Sequence, residues 1–239
     1  MDRPVAAIAE VIPGRRRALE ALAGLGCLVA AAALGAALHG TRGEVSFDRV
    51  AAHVIGPPSP VPGPVAVGLA RLADRGPTAL LLVVIAAAAA VLHRRVRPAL
   101  ATLAAGAVTQ GLVLVGKRRV QRTLFGDGAT FPSGHVAGAT AVLVLAVLVA
   151  GHRGRRVAGV VGLCAGLLPV GAALGAIWTQ SHVWSDVVGG ALVGAGVPLV
   201  LWAIAVSVEP SPARLDTRSD PDNRPVRGSS APEAGQKAR

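Results

Sequence analysis

The chain has 239 residues, of which 52% are hydrophobic and only 15% charged, against roughly 25% charged in soluble domains; an ordinary water-soluble domain is excluded. A net charge of +11 would suit a nucleic-acid binder, but much of the positive charge sits in short clusters between apolar runs, where it sets membrane orientation. Cys27 and Cys164 both lie inside apolar runs, which argues against a disulfide or a cysteine metal site.

Apolar stretches of about 20 residues read as membrane helices. In chain order the candidates are Ala21–Leu38, Pro77–Leu92, Pro98–Gly116, Val136–Gly151, Val157–Trp178 and Val187–Val208, none containing Asp, Glu, Lys or Arg. The second and fourth are short and borrow flanking residues. The first starts late, is long and lacks a small-residue cleavage site before a soluble domain, so it reads as a retained helix. The expected fold is all-α: a membrane bundle of about six transmembrane helices over 21–208, after a cytoplasmic segment 1–20. Between the first two runs, His39 to Gly76 forms a long connection containing Pro57-Pro58-Ser59-Pro60, in which Val65–Ala73 can form a short interfacial helix. Residues 209–239, rich in Pro, Ser, Asp and Arg, read as a disordered cytoplasmic tail.

Arg15–Arg17 precede the first span, Arg94, Arg95 and Arg97 separate the second from the third, and Arg153, Arg155 and Arg156 separate the fourth from the fifth. Six spans put all of these on one side, which the positive-inside rule makes cytoplasmic, with both termini. Lys117, Arg118, Arg119 and Arg122 then fall on the outer face, against the bias. They read either as a site for an anionic substrate or as cations snorkelling to lipid headgroups. The same topology brings Pro132-Ser133-Gly134-His135 and the His182 to Asp186 segment to that face.

Pro132 and Ser133 just before an apolar run are helix-start signals. A helix N-terminus offers free N–H groups and partial positive charge to a phosphate, and Gly134 lets a ligand approach the backbone. Ser133 can cap the helix or bind a phosphate oxygen, and His135 can protonate a leaving alkoxide. The plainer reading is an N-cap with an interfacial histidine. His182 and Asp186, four apart, share a helical face. A carboxylate on one imidazole nitrogen leaves the other free to attack; an inert hydrogen-bonded pair has the same spacing. A zinc site built from the two histidines and the carboxylate is opposed by the nearby cations. Trp178 and Trp184 read as interface anchors, while His39, His53, His93 and His152 carry no partner pattern.

In their order and spacing these segments resemble the type 2 phosphatidic acid phosphatase (PAP2) superfamily, whose motifs are Lys-x6-Arg-Pro, Pro-Ser-Gly-His and Ser-Arg-x5-His-x3-Asp. The second matches fully at Pro132–His135, and the third at His182 and Asp186. The resemblance covers about residues 45 to 205. It implies that His182 attacks phosphorus, Asp186 orients it, and His135 protonates the leaving group and then activates water. Lys117, Ser133 and the Gly134 backbone would hold the phosphoryl oxygens, with no metal or other cofactor. Leu124 and Phe125 stand where the family has Arg-Pro, and Gly175-Ala176 where it has Ser-Arg. Two phosphate-binding arginines are thus missing, and Arg122, Arg118 or Arg119 are the candidates to compensate.

The resulting expectation is a membrane phosphatase for a lipid phosphate or polyprenyl pyrophosphate at the outer face. Its partners are the lipid substrate and membrane lipids, with no nucleic acid; the oligomeric state is left open. A lipid phosphotransferase shares every feature. A non-catalytic anionic-lipid binder is the alternative from another class. A small transporter fits poorly, because Gln110 is nearly the only strongly polar group in the spans.

Overall fold

The computed structural model describes residues 13–55, 63–124 and 128–207; the expected tail, 209–239, lies outside them. The described residues form α1 (Pro13–Ala37), α2 (Ser46–Ile55), α3 (Pro64–Leu72), α4 (Arg75–His93), α5 (Val96–Val120), α6 (Gly134–Ala150), α7 (Arg155–Trp178) and α8 (Trp184–Ser207), with a short 3-10 turn at Gly151–Arg153. Six of these are long and apolar enough to cross a membrane, and they correspond to the expected spans. The chain is an all-α integral membrane protein. Four of its long helices, α1, α4, α5 and α7, run past their apolar cores into flanking arginines.

The centre of the bundle is the pair α6 and α8. More than half of each span is buried (56%), against 28% or less for the other four, so these two are enclosed by protein and the others face lipid. Exposed leucines and valines along α1, α4, α5 and α7, such as Leu22, Leu80, Leu103 and Leu163, form that lipid-facing surface. Small residues permit the tight crossings. A Cβ on Gly190 of α8 would stand 2.5 Å from the Ser133 carbonyl oxygen, and one on Gly24 of α1 would stand 2.8 Å from that of Gly196.

The connection between α1 and α4 holds two helices. One, α3, is the expected short helix and packs on α7. The other, α2, was not anticipated; it packs on α8. Backbone hydrogen bonds tie the chain before α2 to the chain after α5: Thr123 N–H donates to the Thr41 carbonyl (3.2 Å) and Gly43 N–H to that of Thr123 (2.9 Å). At the far end of the bundle the Arg16 guanidinium lies beside Gly151, and the His93 and His152 rings are 4.4 Å apart. The three arginine clusters therefore share the end opposite these connections.

Candidate active site

The last turn of α5 presents Lys117. Its ammonium donates to the carbonyls of Ala129 (2.8 Å) and Thr130 (3.3 Å). An ammonium has three donors, so one is left. Gln121 then caps α5 in the left-handed conformation, φ 52°, and the chain turns inward.

That turn drives Arg122 into the protein, where its exposure is 0%. One guanidinium nitrogen donates to Ser185 Oγ and to Asp186 Oδ1 (3.0 Å). The other donates to Asp48 Oδ2 (2.7 Å) and the Gly43 carbonyl (3.1 Å). Asp48, on α2, also accepts from the backbone N–H groups of Ser185 (2.8 Å) and Val45 (3.1 Å). Burial alone would raise the Asp48 pKa. The hydrogen bonds from Ser185, Arg122 and Val45 outweigh it and hold the carboxyl below the ordinary 3.8. Arg122 is thus a clamp between two buried carboxylates, not the free phosphate ligand it was expected to be.

His182 lies in the turn before α8 rather than on that helix. Its N–H and that of Ser181 both donate to the Ala176 carbonyl (3.2 and 3.1 Å), which fixes the turn. The expected pairing forms nonetheless: His182 Nδ1 is 3.4 Å from Asp186 Oδ2. Asp186 is fully buried and shares itself between His182 and Arg122. Nδ1 is engaged, so Nε2 is the nitrogen left for chemistry.

Gly134 begins α6 after Ser133. Ser133 makes no side-chain cap; its Oγ is buried without a partner among the described residues, while its N–H donates to the Asp186 carbonyl at 3.0 Å. His135 Nε2 sits 3.0 Å from Asp74 Oδ1, on the corner between α3 and α4. Lys117, Gly134, His135 and His182 all line one cavity of about 550 Å³, together with Arg75 and Gln110. Arg118 is exposed and outside that lining. Trp178 and Trp184 pack against the core around Val136 and Val187 instead of standing free at the interface.

The sequence profile of the PAP2 superfamily matches residues 77–208, more than half of the chain. The chain belongs to the PAP2 superfamily. Its fold is similar to that of a transmembrane PAP2 type phosphatidylglycerolphosphate phosphatase from Bacillus subtilis, with a TM-score of 0.62 at 19% identity over 78% of this chain and 97% of that one. No curated protein matches.

The three segments that carry the resemblance, at Lys117, at Ser133 to His135 and at His182 to Asp186, meet at one end of the bundle. Asp48, Asp74, Arg75 and Ser185 were missed from sequence. Asp74-Arg75-Gly76-Pro77, a carboxylate ahead of a proline at a span's edge, carries a helix-start signal that marks the corner. Nothing local ties Asp48 to the site: beyond the Val45 N–H, its partners Arg122 and Ser185 lie far along the chain.

Proposed function

We propose that this PAP2 protein hydrolyses a lipid phosphate or polyprenyl pyrophosphate through a phosphohistidine. The observation that carries the reading is the convergence of His182, His135, Lys117 and the start of α6 on one cavity. In the first step His182 Nε2 forms a bond to phosphorus as the phosphorus–oxygen bond to the lipid breaks, and His135 gives its proton to the departing oxygen. Water then attacks the phosphohistidine and passes a proton to His135, releasing phosphate and restoring His182. Asp186 holds the His182 ring and supports its positive charge. Lys117 and the N–H groups at Gly134 stabilise the transferred group's oxygens, whereas Ser133, expected to join them, is buried outside the cavity lining.

A lipid substrate is supported by a second feature. The cavity continues into a groove of about 460 Å³ between α4 and α5, sharing Arg75, Gln110 and Leu114 and lined further along by Leu82, Val83 and Leu103. A headgroup among the histidines leaves its tail in that groove, at span depth. The three arginine clusters at the opposite end favour the cytoplasm for that end, which supports an outer-face cavity and cytoplasmic termini.

Phosphate release from phosphatidic acid, phosphatidylglycerol phosphate and undecaprenyl pyrophosphate in detergent, with EDTA present, tests the reading. At least one lipid is expected to be turned over. Well-folded protein that releases nothing from any of them, and transfers no phosphoryl group to an added alcohol, would leave the lipid-binding reading. Asp74→Asn adds a finer expectation. The Asp74–His135 pair is about half exposed (side chains 51% and 40%), so solvent screens it. Loss of the carboxylate should lower kcat by about two- to fivefold and leave KM unchanged.

A further inference from the structure

We propose that Arg75 is a phosphate-binding residue of this site, delivered by the α3–α4 corner in place of the family arginines absent at Leu124 and Ala176. The proposal rests on the phosphatase reading above. The cations near the site leave a gap that Arg75 fills. Arg122 has both terminal nitrogens committed to Asp48, Asp186, Ser185 and Gly43. Arg119 lines a separate groove against α1, with Leu28 and Phe131. Lys117 has one donor free, whereas a phosphoryl group presents three oxygens.

Arg75 lines the cavity beside Lys117, His135 and His182, and it also lines the groove between α4 and α5. It therefore stands where a headgroup meets its tail. Among the described residues its guanidinium makes no hydrogen bond or ion pair, and it shares the cavity with the like charge of Lys117. Two like charges held on one cavity repel each other, and an anion between them reverses the sign of the interaction. A guanidinium adds a planar pair of donors suited to phosphoryl oxygens.

The corner is built to hold this residue. Ala73 is buried in the core against α6, α7 and α8. Thr78 donates its hydroxyl to the Ala73 carbonyl (3.2 Å) and its N–H to that of Asp74 (3.0 Å). The missing family residues have a direct connection to this corner. A Cβ on Gly175 would lie 2.6 Å from the Ala70 nitrogen and 3.1 Å from the Ala66 carbonyl oxygen. The backbone of α3 occupies space beside Gly175-Ala176, where the family carries Ser-Arg. The glycine at 175, where the family has serine, thus admits α3 beside the position of the missing arginine, and α3 leads straight into Arg75. Both Asp74 and Arg75 precede the matched segment, which begins at residue 77.

The test uses the full chain in detergent, with the lipid phosphate it turns over and with orthovanadate as an inhibitor. Arg75→Ala is expected to raise KM and the vanadate inhibition constant about ten- to hundredfold, with a smaller fall in kcat; Arg75→Lys should recover part of both. Unchanged KM and inhibition constant in Arg75→Ala protein with a wild-type unfolding midpoint would overturn the proposal, as would finding the loss in Arg118→Ala instead. Should Arg75→Ala not fold, Arg75→Gln carries the same expectation. Absence of phosphate release by wild type would be a failure of the phosphatase reading. Protection of the unfolding midpoint by inorganic phosphate, present in wild type and lost in Arg75→Gln, then decides Arg75 alone; equal protection in both overturns it.

Discussion

Replacing His182 with alanine should reduce phosphate release by roughly ten-thousandfold or more, the scale seen when a covalent nucleophile is removed. No other group can take its place. His135, held at Nε2 by Asp74, is committed to the proton transfers, Lys117 is tied to two carbonyls, and the Ser133 hydroxyl is fully buried. The loss should fall on kcat, because His182 forms its bond to phosphorus only as the reaction proceeds. His135→Ala should behave differently with leaving groups of different basicity. An alkoxide needs the proton, whereas a nitrophenolate leaves without it, so the nitrophenyl ester should still phosphorylate His182. Hydrolysis of that intermediate, which needs His135 as base, should be slow. Rapid quenching should then trap a phosphoenzyme that is stable to alkali and labile to acid. Activity retained in His182→Ala would remove the phosphohistidine from the mechanism.

Arg122→Met should produce the largest loss of stability. The guanidinium sits between Asp48 and Asp186, all three at 1% exposure or less. Its removal leaves two carboxylates buried together with no cation. Breaking a buried pair from one side typically costs about 3–5 kcal/mol, and here two carboxylates are orphaned. The unfolding midpoint in detergent should fall clearly. Adding Asp48→Asn to Arg122→Met should restore part of it, because one of the two stranded charges is gone. Activity should fall as well, since Asp186 also holds His182. If Arg122 were instead a phosphate ligand, its loss would raise KM at an unchanged midpoint, and that result would refute the clamp. The sign of the pH effect follows from Asp48. Its folded pKa lies below the ordinary 3.8. Its contribution is therefore complete above the unfolded value and is lost as pH falls through the lower folded value. Wild-type stability from this group should hold down to about pH 4 and fail in more acid solution, and Asp48→Asn should flatten that acid limb.

Composition and linear pattern decided the membrane architecture. A span must satisfy its backbone internally over a fixed hydrocarbon thickness, so an uninterrupted apolar run such as Val157–Trp178 is legible without tertiary knowledge. The short helix near Val65–Ala73 and the segments at Ser133 to His135 and His182 to Asp186 were legible for a related reason: helix starts and four-residue spacing are local. Arg122 was misread because its role depends on direction. Gln121 in the left-handed region turns the chain, and the carboxylates that receive the guanidinium come from α2 and α8, far along the chain. Asp48, Asp74 and Arg75 escaped notice because a charge in a long connection has no period, and a local helix-start signal does not say which distant residues it will meet. Only the packing of α2 on α8 and of α3 on α7 gives them neighbours. Hydrophobic length is a property of a segment, and a site is a property of several segments brought together, so sequence alone determined the membrane bundle and its motifs while the tertiary structure decided which charges clamp and which face the cavity.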